Sequence, residues 1–94
     1  MTETKEQEML RYLYSHQYVV PVVYRAIEWQ SRHGTPFKWY DVRAMQKDLD
    51  RMVLDGVLTK KGSKGYLLTD IKTATDAYLT YVAAVRAVRQ ERIL

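Results

Sequence analysis

The chain has 94 residues, 47% of them hydrophobic, no cysteine and a formal net charge of +4. That length is one domain with a modest core, of a size that often gains stability from a partner subunit, and the hydrophobic fraction excludes a disordered chain. The missing cysteines exclude disulfides and thiolate metal sites and fit a reducing cytoplasm; the polar N-terminus reads as no signal peptide, and no apolar run approaches the roughly 20 residues of a membrane span. Residues 1–33 balance Glu3, Glu6, Glu8 and Glu28 against Lys5, Arg11, Arg25 and Arg32. The positive surplus therefore lies downstream, and it leans towards a polyanionic partner.

Met1–Thr4 reads as a frayed end. Thr4, with Gln7 three residues on, predicts a capping box, and Met9, Leu10, Leu13 and Tyr14 predict an amphipathic first helix over residues 5–16. Tyr18-Val19-Val20 is β-branched and precedes Pro21, which predicts a brief extended segment. Pro21 suits the first turn of a second helix over 21–33, striped by Val22, Val23, Ala26, Ile27 and Gln30. His33-Gly34-Thr35-Pro36 stops it, and the aromatics of Phe37-Lys38-Trp39 are expected to pack beneath the next element.

Val42, Met45, Leu49, Met52 and Val53 recur at helical spacing and predict a third helix over 40–55. Asp55-Gly56 ends it, because glycine takes a left-handed conformation without steric cost. At about 100° per residue, Tyr40, Arg43, Ala44, Lys47 and Arg51 fall opposite the apolar stripe. Arg43, Lys47 and Arg51 form a basic line at i, i+4, i+8. Val57–Lys60 and Tyr66–Thr69 are β-prone and flank the glycine-bearing turn Lys61–Gly65, which predicts a ribbon over 57–69 with Lys60, Lys61 and Lys64 as further cations. A helix able to enter a major groove beside a basic hairpin able to reach phosphates is the geometry of a winged helix-turn-helix. The plainer alternative is a solvated helix with ordinary surface lysines.

Thr69-Asp70 predicts an N-cap and a last helix over 70–92. Its apolar positions Ile71, Ala74, Tyr78, Tyr81, Val85 and Val88 are spaced 3, 4, 3, 4, 3, a heptad seam that predicts pairing with the same helix of a second subunit. Packing back on the first helix within one chain is the alternative. Arg86, Arg89 and Arg92 suit the negative end of the helix dipole. The expected fold is mainly α with a small β-wing: a single winged helix-turn-helix domain over 1–94 with a long C-terminal dimerisation helix.

No catalytic constellation is evident. His16 and His33 fall near helix ends. Asp48 and Asp50 point about 200° apart on a helix and form no acid–base pair. Gly62-Ser63-Lys64-Gly65 lacks P-loop spacing and sits between strands. Trp29 and Trp39 read as core or hinge anchors, and the eight tyrosines as core and dimer seam. No enzyme activity, cofactor or metal is expected.

The run Leu49–Leu58, the basic turn and Gly65-Tyr66-Leu67-Leu68-Thr69-Asp70 resemble the winged-helix regulators of the PadR type. Those proteins end the recognition helix in an apolar–x–x–apolar–x–x–x–Gly–apolar–Leu pattern, close the wing with Tyr–x–Leu–Thr and carry a C-terminal dimerisation helix. In size and layout the chain is also similar to small winged helices of archaeal plasmids and viruses, including centromere-binding partition proteins. The resemblance implies base reading through Arg43, Ala44, Gln46 and Lys47, with arginine suited to guanine and glutamine to adenine. Tyr40, Arg51, Lys61, Ser63 and Lys64 would mostly contact phosphates. The implied protein is a cytoplasmic, nucleoid- or plasmid-associated homodimer on a palindromic duplex site, a transcriptional regulator or a partition factor, with room for a second protein of a regulatory or partition complex and no membrane role. The alternative is a winged helix used for protein interaction without DNA.

Overall fold

A computed structural model describes the backbone of residues 3–93 and the side chains of residues 3–90. The expectations for Met1, Thr2 and the Arg92 side chain lie outside these residues. Helix α1 spans Lys5–Ser15, α2 Val20–His33, α3 Gln46–Leu54 and α4 Ile71–Ile93, with strands β1, Leu58–Lys61, and β2, Gly65–Leu68, between α3 and α4. The molecule is thus mainly helical with one small two-stranded antiparallel sheet.

Local chemistry sets the ends of these elements. The Thr4 hydroxyl accepts from the Gln7 backbone N–H at 3.1 Å and the Gln7 side chain accepts from the Thr4 N–H at 3.2 Å, the predicted capping box. Gly34, with φ 66°, closes α2, and Gly56, with φ 82°, follows α3. At the start of α4 the Asp70 carboxylate accepts from the Thr73 N–H at 3.2 Å and from the Thr73 hydroxyl at 2.8 Å. These two bonds hold the Asp70 carboxyl below the usual range.

Three expectations are corrected. Gln17–Val19 forms a 3-10 turn, not an extended segment, and leads directly into α2 at Val20. Proline is tolerated in a first helical turn, so Pro21 did not keep Val20 out of the helix. The third helix begins at Gln46, not Tyr40. Residues 39–43 form a separate turn: Asp41 Oδ2 accepts from the Lys38 N–H at 2.8 Å, and the Ala44 N–H donates to Trp39 O at 3.0 Å. Arg43 breaks continuity with α3 by adopting φ 53°, a left-handed conformation that L-residues other than glycine seldom take.

The third correction concerns α4. Ala74, Ala77 and Tyr81 are buried within their own chain, in the core that α1, α2 and α4 build together. The Tyr14 and Tyr81 rings meet edge-on at 5.0 Å, and the Tyr24 and Tyr78 rings lie 5.5 Å apart. Ala74 and Tyr81, expected in a seam between subunits, therefore face inwards, and Tyr78 packs partly against the same core. The 3, 4 spacing marks a helix face to be covered, not the molecule that covers it. Ile71 and Val88 stay exposed, and Val85 is half-buried.

The hairpin is fastened on two sides. Leu58 faces Leu68 and Lys61 faces Gly65 in the antiparallel register. Phe37 and Tyr66 exchange two backbone hydrogen bonds, of 2.9 and 2.8 Å, which adds a one-residue third strand from the α2–α3 connection. Gln30 Oε1 of α2 accepts from the Leu68 N–H at 2.8 Å. Phe37 and Tyr66 are the largest fully buried side chains.

Candidate nucleic-acid interface

The candidate surface comprises the 38–45 loop, the outward side of α3 and the hairpin turn. Leu49 and Met52 turn inwards and bury α3 against the core. Gln46, Lys47, Arg51 and Leu54 are left outside. The N-cap position of α3 is Met45, which offers no side-chain cap bond. The first-turn N–H groups of α3 that find no helical acceptor thus also lack a capping side chain.

Asp50 ties α3 to the sheet. The Tyr66 hydroxyl donates to Asp50 Oδ1 at 2.7 Å, and Lys60 Nζ lies 3.8 Å from the same oxygen. Burial, then the bond to Asp50 and its charge, push the Tyr66 phenol up from its ordinary value. The hairpin is thereby held alongside α3, with Lys61, Ser63 and Lys64 exposed at its turn. Gly62 has φ 70°, as a tight turn requires. Gly65 serves a different need from the expected one: a Cβ there would come within 2.7 Å of Lys61 O and 2.9 Å of Pro36 Cβ.

The expected basic line divides. Lys47 and Arg51 stay one turn apart on α3, but Arg43 sits off the helix. Arg51 Nε is 3.8 Å from Asp55 Oδ2, and the pair borders a cleft with Glu8, Arg11, Tyr12 and His16 of the α1 region. Ala44 is half-buried and packs on the core, so it offers less surface to a base than expected. Gln46 and Lys47 stand exposed at the first two positions of α3, and Tyr40 is exposed in the loop before it.

Met45 and Trp39, expected inside, lie outside, as do Leu54 and, as expected, Tyr40. Met45 is 60% exposed, Trp39 47%, Tyr40 54% and Leu54 84%. The 38–45 loop is nonetheless well anchored. Phe37 is bonded to Tyr66, Val42 is buried, and Arg25 donates from its guanidinium to Val42 O at 2.9 Å. Trp39 and Tyr40 pack edge-to-face at 5.4 Å, with Lys38 Nζ 5.9 Å from the Tyr40 ring. The sequence signal for this loop was present in Thr35-Pro36, but the helical spacing from Val42 onward masked how far it extends.

The histidines stand where they were expected, at helix ends. His16 stacks on Tyr12 with centroids 4.3 Å apart, and His33 lies 4.0 Å from the Trp29 ring. Burial, and then the Asp55 charge, push the Tyr12 phenol well above its usual range. Among the described residues, no group of three or more His, Asp or Glu side chains is placed to hold a metal ion. Among them, too, no helix is long and apolar enough to cross a membrane. No family model, curated protein or solved structure matches this chain.

Proposed function

We propose that this chain is a winged helix-turn-helix protein that binds duplex DNA, as a transcriptional regulator or a centromere-binding partition factor. The observation that carries the reading is the coupling of α3 to the hairpin through Asp50, which bonds Tyr66 and lies within ion-pair distance of Lys60. It fixes α3, which exposes Gln46 and Lys47, against the hairpin, which exposes Lys61 and Lys64 at its turn. The order of elements supports it: α2, the Phe37 bridge, the turn at 39–43, α3, β1, the hairpin turn and β2 follow one another as helix, short strand, turn, helix and wing. In this reading Gln46 and Lys47 reach base edges, while Arg43, Lys61 and Lys64 contact phosphates.

A homodimer belongs to the proposal in altered form. The start of α1 lies beside the start of α4, and Tyr14, near the end of α1, meets Tyr81. Beyond that point α4 runs on, and Val85 and Val88 share an open groove with Tyr14 and Gln17. A second copy would join there and not along the whole seam.

A labelled random-sequence duplex, titrated with protein at increasing salt, tests the reading by fluorescence anisotropy. Binding that weakens linearly on a log–log salt plot is expected for phosphate neutralisation. No binding at low salt would overturn it. The second reading, a protein-interaction module, draws on the exposed Trp39, Met45 and Leu54, and it predicts that null result.

A further inference from the structure

Trp39, Arg43, Ala44, Met45 and Gln46 line an open recess of about 570 Å³ at the head of α3, within the roughly 300–1,000 Å³ of small-ligand sites. Its walls are fixed by backbone bonds: Ala44 N–H to Trp39 O at 3.0 Å, and the Met45 carbonyl to the N–H groups of Asp48 and Leu49 at 3.0 and 3.2 Å. The anchoring of the loop by Arg25 and by Phe37 keeps it in place. An exposed indole and thioether on an anchored segment are not accounted for by the core, which they do not join.

The chemistry of the walls is specific. Trp39 offers a flat aromatic face and Met45 a polarizable sulfur. The Gln46 carboxamide carries both donors and an acceptor, and the Arg43 guanidinium carries donors in a planar fork. The residues lining the recess include one charge, positive, and no carboxylate. Exposed Lys38 and Lys47 flank these residues in sequence. An aromatic platform, an amide able to match a base edge and the Arg43 guanidinium complement a planar base on a phosphate strand.

We infer that this recess is a nucleobase site that takes one unpaired base from a nucleic-acid strand, stacked on Trp39 and hydrogen-bonded by Gln46, with Arg43 beside the base or its phosphate. The inference rests on the nucleic-acid reading above and goes beyond it, since duplex binding by α3 and the hairpin requires no unpaired base. Arg43 carries the additional mark of backbone strain, with φ 53°, of the kind that gathers at ligand sites.

The test uses the full chain and a dye-labelled duplex, either fully paired or with one unpaired thymine. Anisotropy reads binding. The tryptophan emission of wild type less that of Trp39→Phe isolates Trp39 from Trp29. The bulged duplex should bind roughly tenfold more tightly than the paired one, the size of effect that base–aromatic stacking supports, and should quench Trp39. Trp39→Ala should erase the preference for the bulged duplex. Met45→Ala, checked alongside for unchanged melting, should reduce the preference in part. Equal binding of both duplexes with Trp39 unquenched would overturn the inference and leave duplex binding standing. Quenching by free thymidine monophosphate, without any duplex binding, would support the base site with a free nucleotide as its source. Absence of both kinds of binding would overturn the inference together with the reading beneath it.

Discussion

The Tyr66 hydroxyl donates to Asp50 Oδ1 at 2.7 Å and so joins the second strand to the middle of α3. Tyr66→Phe keeps the buried ring and removes only this bond. A hydrogen bond to a charged acceptor contributes roughly 1.5–3 kcal/mol, reduced here because Asp50 is half-exposed and screened. A loss of about 1 kcal/mol in urea denaturation is expected. Tyr66→Phe combined with Asp50→Asn should cost less than the sum of the two, which a double-mutant cycle would read directly.

The glycines of the hairpin should respond differently to alanine. At Gly65 the added methyl meets Lys61 O and Pro36 Cβ at 2.7 and 2.9 Å. Backbone cannot yield cheaply, so Gly65→Ala is expected to cost about 1–3 kcal/mol, as overpacking does. At Gly62 the space is open but φ is 70°, and alanine there should cost about 1–2 kcal/mol through the left-handed backbone. Thermal melts would show both. Gly65→Ala should also shift the amide resonances of Pro36's neighbours, which Gly62→Ala should leave in place.

Stability should fall at high pH. The folded-state phenols of Tyr12 and Tyr66 are both raised above the ordinary tyrosine value of about 10. A raised folded pKa means that the unfolded chain releases its proton first. The contribution is therefore complete below pH 10 and is lost as pH climbs through the folded values. Phenolate absorbance should show Tyr12 and Tyr66 titrating only as the protein unfolds. If Tyr12 and Tyr66 ionised while near-UV circular dichroism stayed native, the burial described for them would be wrong.

Arg43→Gly separates strain from function. Removing the Cβ relieves a left-handed backbone costing about 1–2 kcal/mol, partly offset by the roughly 0.5–1 kcal/mol of chain freedom that glycine brings. The variant should be as stable as the wild type or up to about 1 kcal/mol more stable. Under the proposed function it should bind duplex DNA more weakly and with a smaller salt slope. A destabilised Arg43→Gly would mean that the side chain is structural.

Substitutions along α4 distinguish interior from interface. Ala77→Glu places a charge in a position with no solvent exposure and should unfold the chain. Val88→Glu, at an exposed position in the groove beside Tyr14, should leave the melting profile of the monomer unchanged. If the chain dimerises through the far end of α4, Val88→Glu should shift the sedimentation profile to monomer, and Ile71→Glu, at the other end, should not.

What could be read in advance divides along physical lines. Short-range chemistry was legible: the Thr4–Gln7 capping box, Gly56 after α3, the Gly62 turn and the Asp70 cap are each decided within a few residues. Tertiary contacts overrode the longer patterns. Val42 and Met45 fit the period of α3, yet Val42 is buried as part of the loop that Arg25 anchors, and Met45 points outwards. On α4 the spacing found Ala74 and Tyr81 but missed the buried Ala77 and included the exposed Ile71 and Val88, and no property of that face distinguished α1 and α2 from a second subunit. The exposure of Trp39 had no local signal at all, because a tryptophan beside a buried phenylalanine reads as core on composition.

The paired bonds between Phe37 and Tyr66 close the intervening chain into a ring with α3, β1 and the hairpin turn inside it. Helix and hairpin must then travel as one body when anything is gripped between them, and a misfit has to be absorbed by the ligand. The ring also orders assembly. The hairpin and its neighbouring helix can form from local contacts, after which closure at Phe37 incurs a loop entropy that grows only slowly with length. The meeting of α1 with α4, the most distant partners in the chain, is left for last. A nascent chain would therefore carry its cationic surface before its two ends have met.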